Sequence, residues 1–405
     1  MNRGRAMALS LLVALAPHAS CARPDPSACR VEGERTLGEV ASADPRGAFV
    51  PADGEGRVAL FFLREATDAG NPLSLPSGVA AIAVDPTGVA TPARTYKTHS
   101  RLAARAGSTE VVGAVWTPRE VVWHWVERVT ETGADGVLRS EARLVLGRVR
   151  EGGAEDAAIE PEAARCSDCR IAVDGVAYDG AAVLVFAAAP ETKTSPNVGA
   201  LGTPGLLAHG TVRVSPQGIE VTSPLPGAAL PVDTSARLDV IGGRLWLLSR
   251  GWQQPVDARM RPAGAPVPRP NATDSLLIPA TGETSVVWTA LTGDTSDATK
   301  GGGALSLRTF DDRGATGPTI RVSSTSRALA AARGGDRFAV LHAAGAVTWL
   351  SVVSASGHKL GADVAIGSAS EGATARTLFA RDRQRWLDLE AANGKLVARE
   401  IVCDP

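Results

Sequence analysis

The amino-acid sequence predicts an all-β fold made of repeated four-stranded units. A short apolar strand, a turn and a second, almost continuously apolar strand recur seven times along the chain. A further hairpin follows each of the first six pairs, and its last strand is polar or contains proline. The 43 glycines and 26 prolines supply the many turns that such a fold needs. Four strands ordered from buried to edge describe one blade of a β-propeller, so the sequence predicts seven blades.

The second strand of each unit carries the strongest signal. Continuous apolar runs suit strands that are covered on both faces, as in a sheet between two neighbouring sheets. Four of these strands contain a tryptophan that we expect to pack between blades: Trp123, Trp246, Trp288 and Trp386. The predicted second strands span residues 58–63, 121–126, 182–186, 245–248, 286–290, 338–341 and 386–389.

Tight turns are predicted between the third and fourth strands. Proline at the second position presets the turn, and glycine at the fourth tolerates a positive φ. Three turns have both residues: Asp85-Pro86-Thr87-Gly88, Ser215-Pro216-Gln217-Gly218 and Arg261-Pro262-Ala263-Gly264.

The seventh unit lacks a fourth strand, because the chain ends soon after its third strand, residues 395–402. Residues 29–37 are otherwise unused, and we expect them to close the last blade as its outer strand, which removes an exposed edge. A disulfide between Cys29 and Cys403 would lock this seam, and Cys166 would pair locally with Cys169. These four cysteines allow three pairings on sequence alone, and six or eight blades stay open if a unit is misphased.

The N-terminus predicts export. Residues 1–21 have a basic start and an apolar stretch too short to span a bilayer, as in a signal peptide. His18-Ala19-Ser20-Cys21 resembles the lipobox of bacterial lipoproteins, in which the cysteine carries the lipid anchor; cleavage after Ala22 without a lipid is the alternative. Residues 22–405 would then form a single propeller domain of an outer-membrane or periplasmic lipoprotein, or alternatively of a secreted protein.

The charge balance gives no reason to expect nucleic acid as a partner. Lys and Arg number 42 against 43 Asp and Glu, so the net charge of −1 creates no strong field for polyanions. The expected membrane contact is limited to the lipid anchor.

On this pattern of strands and turns, the mature chain resembles secreted bacterial β-propeller repeat proteins along nearly all of its length. The resemblance implies the fold and not an activity. Gly-His and Trp-Asp pairs do not recur from unit to unit as they do in WD40 repeats, and the Asp-box of sialidases is absent from the sequence.

Motifs for catalysis are also absent. We find no nucleophile elbow, Walker loop, zincin helix or EF-hand loop, and the histidines lack metal-ligand spacing, so no cofactor and no metal are expected. Cys166-Ser167-Asp168-Cys169 has the spacing of a redox pair, but a strand follows it instead of the helix that would lower a thiol pKa. A structural disulfide is therefore predicted there.

Two groups of residues are candidate ligand sites. The first lies in four long connections between second and third strands, residues 66–78, 130–140, 191–205 and 293–303, which should emerge on one face. Their aspartates could bind a cation or a sugar, with solvated carboxylates as the alternative: Asp68, Asp135, Asp294 and Asp297.

The second group consists of arginines at or just before the innermost strands. If they converged at the channel mouth they would bind carboxylate or phosphate, as in the arginine cluster of sialidases; individually solvated arginines are the alternative. These residues are Arg46, Arg170, Arg237, Arg327 and Arg376.

The sequence thus favours a non-enzymatic cell-envelope binding protein that presents a loop-rich propeller face to a protein or a glycan. The alternative is a glycan-acting hydrolase or lyase with its site at the mouth of the central channel, which paired carboxylates there would favour. A third class, an envelope assembly scaffold, would show a broad apolar patch on an outer edge.

Overall fold

The computed structural model describes residues 29–40, 48–51, 58–65, 76–85, 87–91, 94–97, 107–132, 134–150, 159–190, 208–223, 236–241, 243–249, 252–268, 275–278, 285–292, 304–311, 319–324, 326–354, 356–368 and 375–404. Within these residues the strands form seven antiparallel sheets of four strands each.

Six sheets take consecutive strands, and the seventh combines both ends of the chain. β1 (Cys29–Glu39) comes first in the chain but belongs to sheet 7. Sheet 1 contains β2 (Ala48–Pro51), β3 (Val58–Glu65), β4 (Pro76–Val84) and β5 (Arg94–Lys97). Sheet 2 contains β6 (Gly107–Trp116), β7 (Glu120–Thr132), β8 (Leu138–Arg150) and β9 (Arg165–Ser167). Sheet 3 contains β10 (Cys169–Tyr178), β11 (Ala181–Pro190), β12 (Ala208–Ser215) and β13 (Gly218–Thr222). Sheet 4 contains β14 (Arg237–Ile241), β15 (Arg244–Ser249), β16 (Trp252–Val256) and β17 (Val267–Pro268). Sheet 5 contains β18 (Ser275–Ile278), β19 (Ser285–Thr292), β20 (Ala304–Asp311) and β21 (Ile320–Ser323). Sheet 6 contains β22 (Arg327–Gly334), β23 (Arg337–Ala344), β24 (Val347–Ser354) and β25 (Val364–Ser368). Sheet 7 has the order β1, β28 (Lys395–Cys403), β27 (Arg385–Ala392) and β26 (Ala375–Ala380).

The sheets pack face to face around their first strands. The first strands of sheets 1, 2, 3 and 4 contact one another in that order. The first strands of sheets 5, 6, 7 and 1 do the same, and the first strand of sheet 7 is β26. Each apolar core lies between two neighbouring sheets; the cluster around Val122 and Phe186, for example, joins sheets 2 and 3. Radially packed four-stranded sheets are the architecture of a β-propeller, so the predicted fold class is confirmed.

The predicted second strands fall on the second strands of the seven sheets. β11 shows why the apolar signal is continuous: Ala181 to Ala188 are buried, because sheet 3 is covered on both faces. Trp123, Trp246 and Trp386 are also buried, and Trp123 and Trp386 pack between neighbouring sheets, as expected. A glycine makes room for the first of them, since a Cβ at Gly147 would overlap the Trp123 indole ring.

The N-terminal strand pairs antiparallel with β28, from Cys29 opposite Cys403 to Glu39 opposite Lys395. Disulfides join Cys29 to Cys403 and Cys166 to Cys169, which confirms both predicted pairings. Disulfides are typical of oxidising compartments outside the cytosol. In the part of the chain described here, we find no helix with the length and apolar character needed to cross a bilayer.

Two local predictions were wrong. The turn expected at residues 261–264 lies earlier, where Met260 N donates to Asp257 O (2.8 Å) and Asp257 N donates to Arg261 O (2.9 Å). The connection expected over 130–140 is mostly strand, because β7 and β8 stay paired out to Thr132 and Leu138. After the earlier turn, Pro262 already pairs with Val256. In β7 and β8, backbone hydrogen bonds extend the strands through polar residues that carry no apolar pattern.

The propeller has two ends, which we name by their connections. The turn end carries the turns between first and second strands; in sheet 7 this is residues 381–384, next to which Cys403 N donates to Gln384 O (2.8 Å). The corresponding turn of sheet 6 lies beside it, because Arg383 forms an ion pair with Asp336 (2.9 Å). The loop end carries the connections between second and third strands, and there Val40 N donates to Gly394 O (2.7 Å).

Candidate functional site at the inner strands

Two aspartates lie on touching inner strands. Asp174 is in the middle of β10 and Asp239 in the middle of β14, and these strands contact each other. Leu238 and Val240 pack on sheet 3, so strand alternation directs Asp239 to the opposite face of β14. The two carboxylates are close enough for the charge of Asp174 to act on Asp239.

The two carboxylates differ in their hydrogen bonds. Asp174 Oδ2 accepts a hydrogen bond from the backbone N of Leu238 (2.7 Å), which ties the inner edge of sheet 4 to sheet 3. Asp239 Oδ1 accepts one from the backbone N of Val240 (2.8 Å). Asp239 Oδ2 is buried and has no hydrogen-bond partner among the described residues. Asp239 therefore has an acceptor oxygen to spare.

Both aspartates are easier to protonate than ordinary carboxyl groups. Burial raises the pKa of Asp174, and the charge of Arg237 and the backbone donors of Leu238 and Gly175 offset part of that rise. Burial raises the pKa of Asp239 to about 6; the backbone donor of Val240 opposes this, and the charge of Asp174 adds to it. Strongly perturbed pairs of this kind are concentrated at functional sites.

Two of the predicted arginines stand at the loop end of the same strands. Arg170 is near the start of β10 and Arg237 begins β14, and both residues are exposed. The charge of Arg237 lowers the pKa of Asp174, so the cation and the carboxylate are neighbours. The inner strands of sheets 3 and 4 thus combine two carboxylates at mid-height with two cations above them. We call Arg170, Asp174, Arg237 and Asp239 the inner-strand site.

Arg376 does not join a ring at the channel mouth, which corrects that part of the arginine prediction. Its Nε and Nη2 donate to the two carboxylate oxygens of Asp388 (2.8 and 2.7 Å), and Nη1 donates to Thr348 Oγ1 (3.2 Å). The Asp388 side chain is 0% exposed, and a buried carboxylate needs such a partner. Arg327 begins β22, but its side chain is outside the described residues, and so is all of Arg46.

The ion pairs around Arg376 extend to the N-terminal strand. Arg399 donates to Asp388 (3.1 Å) and Glu390, and its Nε donates to Glu34 Oε2 on β1 (2.6 Å). Burial alone would lower the pKa of Arg399, but its hydrogen bonds and the neighbouring carboxylates raise it above the usual value. This network fastens β1 to sheet 7 and is structural.

Of the predicted loop aspartates, the structure describes Asp135. It lies in the β7–β8 turn, where it accepts hydrogen bonds from the backbone N of Val137 (3.1 Å) and from Arg139 Nη2 (2.8 Å). These local contacts show that Asp135 stabilises the turn in which it lies. Asp68, Asp294 and Asp297 are outside the described residues, as are Cys21 and most of the other three long connections.

The Cys166–Cys169 disulfide has a supporting role. Arg128 Nη2 donates to Cys169 O (3.0 Å) and Asp168 N donates to Ser140 O (2.7 Å), so the disulfide loop fastens β7 and β8 to sheet 3. The strand β10 follows it directly, as predicted. Within the described ranges no group of three or more His, Cys, Asp or Glu side chains is placed to hold a metal ion.

Sequence reasoning missed Asp174 and Asp239. A signal was present, since each is the sole carboxylate inside a mostly apolar inner strand, IAVDGVAY and RLDVI. Their closeness depends on which strands touch in the tertiary structure, and they are 65 residues apart in the chain.

This chain is similar to known proteins in its fold and not in its sequence. No family model matches the chain, and no curated protein matches it. The β-propeller domain of Myceliophteria thermophila Cps50 (Swd1) is similar with a TM-score of 0.49 and 10% identity, over 91% of this chain and 99% of that one. A Trypanosoma rangeli sialidase has a TM-score of 0.36 and 10% identity, over 89% of this chain and 54% of its own. The parainfluenza virus 5 hemagglutinin-neuraminidase ectodomain has a TM-score of 0.42 and 7% identity, over 93% and 86%.

Proposed function

We propose that this chain is an exported cell-envelope binding protein that holds a glycan or a protein segment at the loop end of a closed seven-bladed propeller. Residues 1–21 would be removed as a signal peptide, Cys21 would carry a lipid, and residues 22–405 would form one propeller domain. The long connections between second and third strands would surround the ligand, and the inner-strand site would lie at its centre.

The observation that carries the proposal is the spare acceptor oxygen of Asp239, on the inner strand that touches the strand of Asp174. A buried carboxylate oxygen without a donor is stabilised when a ligand supplies a hydroxyl or amine N–H. Arg170 and Arg237 add donors for ligand oxygens. Carboxylates and guanidinium groups together suit the alternating hydroxyl and carbonyl groups of a glycan or a peptide.

Binding by the mature protein to a glycan array and to envelope extracts would test this. Replacing Asp239 with Asn keeps the shape but removes the charged acceptor, and one charge-assisted hydrogen bond is worth about 1.5–3 kcal/mol, or roughly 10- to 150-fold in affinity. The matched control is Asp336→Asn, an exposed aspartate at the turn end that should leave binding unchanged. Equal binding by both variants would refute the site.

A glycan hydrolase is the second candidate, and the pKa of about 6 at Asp239 specifically favours it. A carboxyl group that keeps its proton near neutral pH acts as a general acid, and a second carboxylate serves as base or nucleophile. Asp239 would take the first role and Asp174 the second. New reducing ends should then appear when a bound glycan is incubated with the protein. Loss of cleavage in Asp174→Asn with binding retained would support an enzyme, and no cleavage by the unmodified protein would reject it.

A further inference from the structure

The two disulfides are nested, with the short loop inside the long one. Cys29 pairs with Cys403 across a separation of 374 residues, and Cys166 pairs with Cys169 across a separation of 3. The inner bond joins β9 of sheet 2 to β10 of sheet 3, whereas the outer bond joins β1 to β28 in sheet 7. A chain that is made from its N-terminus therefore carries Cys29, Cys166 and Cys169 as free thiols before Cys403 is added.

The folded structure holds the inner loop in place without the help of its sulfur atoms. Arg128 Nη2 donates to Cys169 O (3.0 Å), Asp168 N donates to Ser140 O (2.7 Å), and Ser140 N donates to Asp168 Oδ1 (3.3 Å). In addition, β10 is paired with β11 from Cys169 to Tyr178. None of these contacts uses a cysteine side chain. The inner bond therefore has its main effect on the chain before it folds.

An unpaired Cys166 would compete strongly for Cys29. In an unfolded chain, the frequency with which two residues meet falls roughly as the −3/2 power of their separation. Cys166 is 137 residues from Cys29, so it should meet Cys29 about 4.5 times as often as Cys403 does. On the same relation, Cys166 meets Cys169 about 300 times as often as it meets Cys29. The stiffness of so short a loop reduces this figure, but the margin is wide, so the inner pair closes first.

A wrong bond at Cys29 would keep the last blade from closing. Cys29 lies opposite Cys403 at one end of the β1–β28 ladder. If Cys29 were joined to Cys166 instead, the start of β1 would be held at β9 on sheet 2, and β28 would keep an unpaired edge. Cys29, Cys169 and Cys403 are buried in the folded protein, so the correct partners have to be selected before the strands pack.

We propose that the Cys166–Cys169 disulfide is a pairing guard, which closes first and withholds both thiols from Cys29 until Cys403 is available. Each bond forms when two thiols lose two protons and two electrons to a disulfide oxidant, which becomes two thiols. After the inner pair has reacted, Cys29 and Cys403 are the only thiols beyond residue 21, and the native outer bond is the only one left to form. A thiol oxidase then suffices, without a disulfide isomerase. This role depends neither on a lipid at Cys21 nor on the inner-strand site.

Oxidation of the reduced chain from residue 22 onwards would test the guard. The unmodified chain is compared with Cys169→Ala, which frees Cys166, and with Cys166→Ala/Cys169→Ala, a matched control that lacks both the guard and the competing thiols. Each chain is oxidised at low concentration with diamide, which takes up the electrons without leaving thiols that promote exchange. The reaction is run once in guanidinium and once during dilution into native buffer. Remaining thiols are alkylated, and peptide mapping without reduction measures the share of molecules with the Cys29–Cys403 bond.

In guanidinium, the unmodified chain and the double variant should form the Cys29–Cys403 bond in nearly all molecules. Cys169→Ala should form it in about one molecule in seven, because the bonds of Cys166 with Cys29 and Cys403 together are about 6.5 times as frequent. The shortfall of this variant should persist on dilution into native buffer. Equal shares in all three chains in guanidinium, or a full share for Cys169→Ala in native buffer, would overturn the proposal. So would a Cys29–Cys166 bond as the main product of the unmodified chain.

Discussion

Removing the Cys29–Cys403 disulfide should destabilise the protein far more than removing the other disulfide. The bond joins residues 374 apart in the chain, whereas Cys166 and Cys169 are 3 apart. The chain-entropy relation gives about 6 kcal/mol for the long loop and about 2 kcal/mol for the short one at 25 °C. Measured values rarely exceed about 5 kcal/mol, so the difference expected in practice is about 2–4 kcal/mol.

The structure explains why the Cys29–Cys403 disulfide should contribute so much to stability. Apart from Cys29, residues of β1 are mostly exposed, so hydrophobic burial contributes little to holding this strand. The disulfide, the backbone ladder to β28 and the ion pair of Glu34 with Arg399 provide the attachment. Without the covalent link, β1 can separate from sheet 7 and leave β28 as an exposed edge.

Guanidinium unfolding of the mature protein would measure both effects. The Cys29→Ala/Cys403→Ala variant is compared with Cys166→Ala/Cys169→Ala, each against the unmodified oxidised protein. Alanine is chosen because Cys29, Cys169 and Cys403 are buried and a serine hydroxyl there would need a partner. Equal losses of unfolding free energy in the two variants, or a larger loss in the second, would refute the reasoning.

Three further predictions concern glycine packing and two titrating groups. Gly147→Ala should cost about 1–3 kcal/mol because its Cβ would overlap the Trp123 ring, while Gly33→Ala, with open space around it, should change thermal stability little. The folded protein keeps a proton on Asp239 up to about pH 6, whereas the unfolded chain loses it at about pH 4. The free energy of unfolding should therefore fall by up to about 3 kcal/mol as pH rises through this range. Urea titrations at several pH values would measure this fall, and Asp239→Asn should remove it. Burial lowers the pKa of His124 to about 4, so the free energy of unfolding should also fall as pH drops from about 6.5 towards 4. His124→Leu should make stability less dependent on pH in this acidic range. An unchanged pH dependence in this variant would show that His124 is not buried as described.

The apolar pattern predicted the strands because the fold buries them on both faces. Runs such as residues 182–186 contain little except apolar side chains, and no arrangement other than a covered strand or a short buried helix accommodates them. The frequent glycines and prolines selected the strand. The missing fourth strand of the last unit then pointed to the N-terminal segment, and the cysteine at each end of the chain indicated where the two meet.

Polar side chains were harder to place. Arg376 lies at the start of an inner strand just as Arg237 does, and nothing in the local sequence distinguishes them. The difference lies in their neighbours: Arg376 has the buried Asp388 across the sheet, and Arg237 has the Asp174 of a different sheet. A carboxylate that is buried by distant residues determines where a guanidinium turns, and sequence spacing does not contain that information.

The sequence by itself determined the strand pattern and the four-stranded repeat, because each follows from burial, turn geometry or the count of strands along the chain. It also predicted the two disulfides, which the structure then selected from three possible pairings. Only the tertiary structure decided that Asp174 and Asp239 lie on touching inner strands, and that Arg376 serves an internal ion network. Electrostatic interactions act through space between strands that are distant in sequence, and the contacts between sheets set those distances.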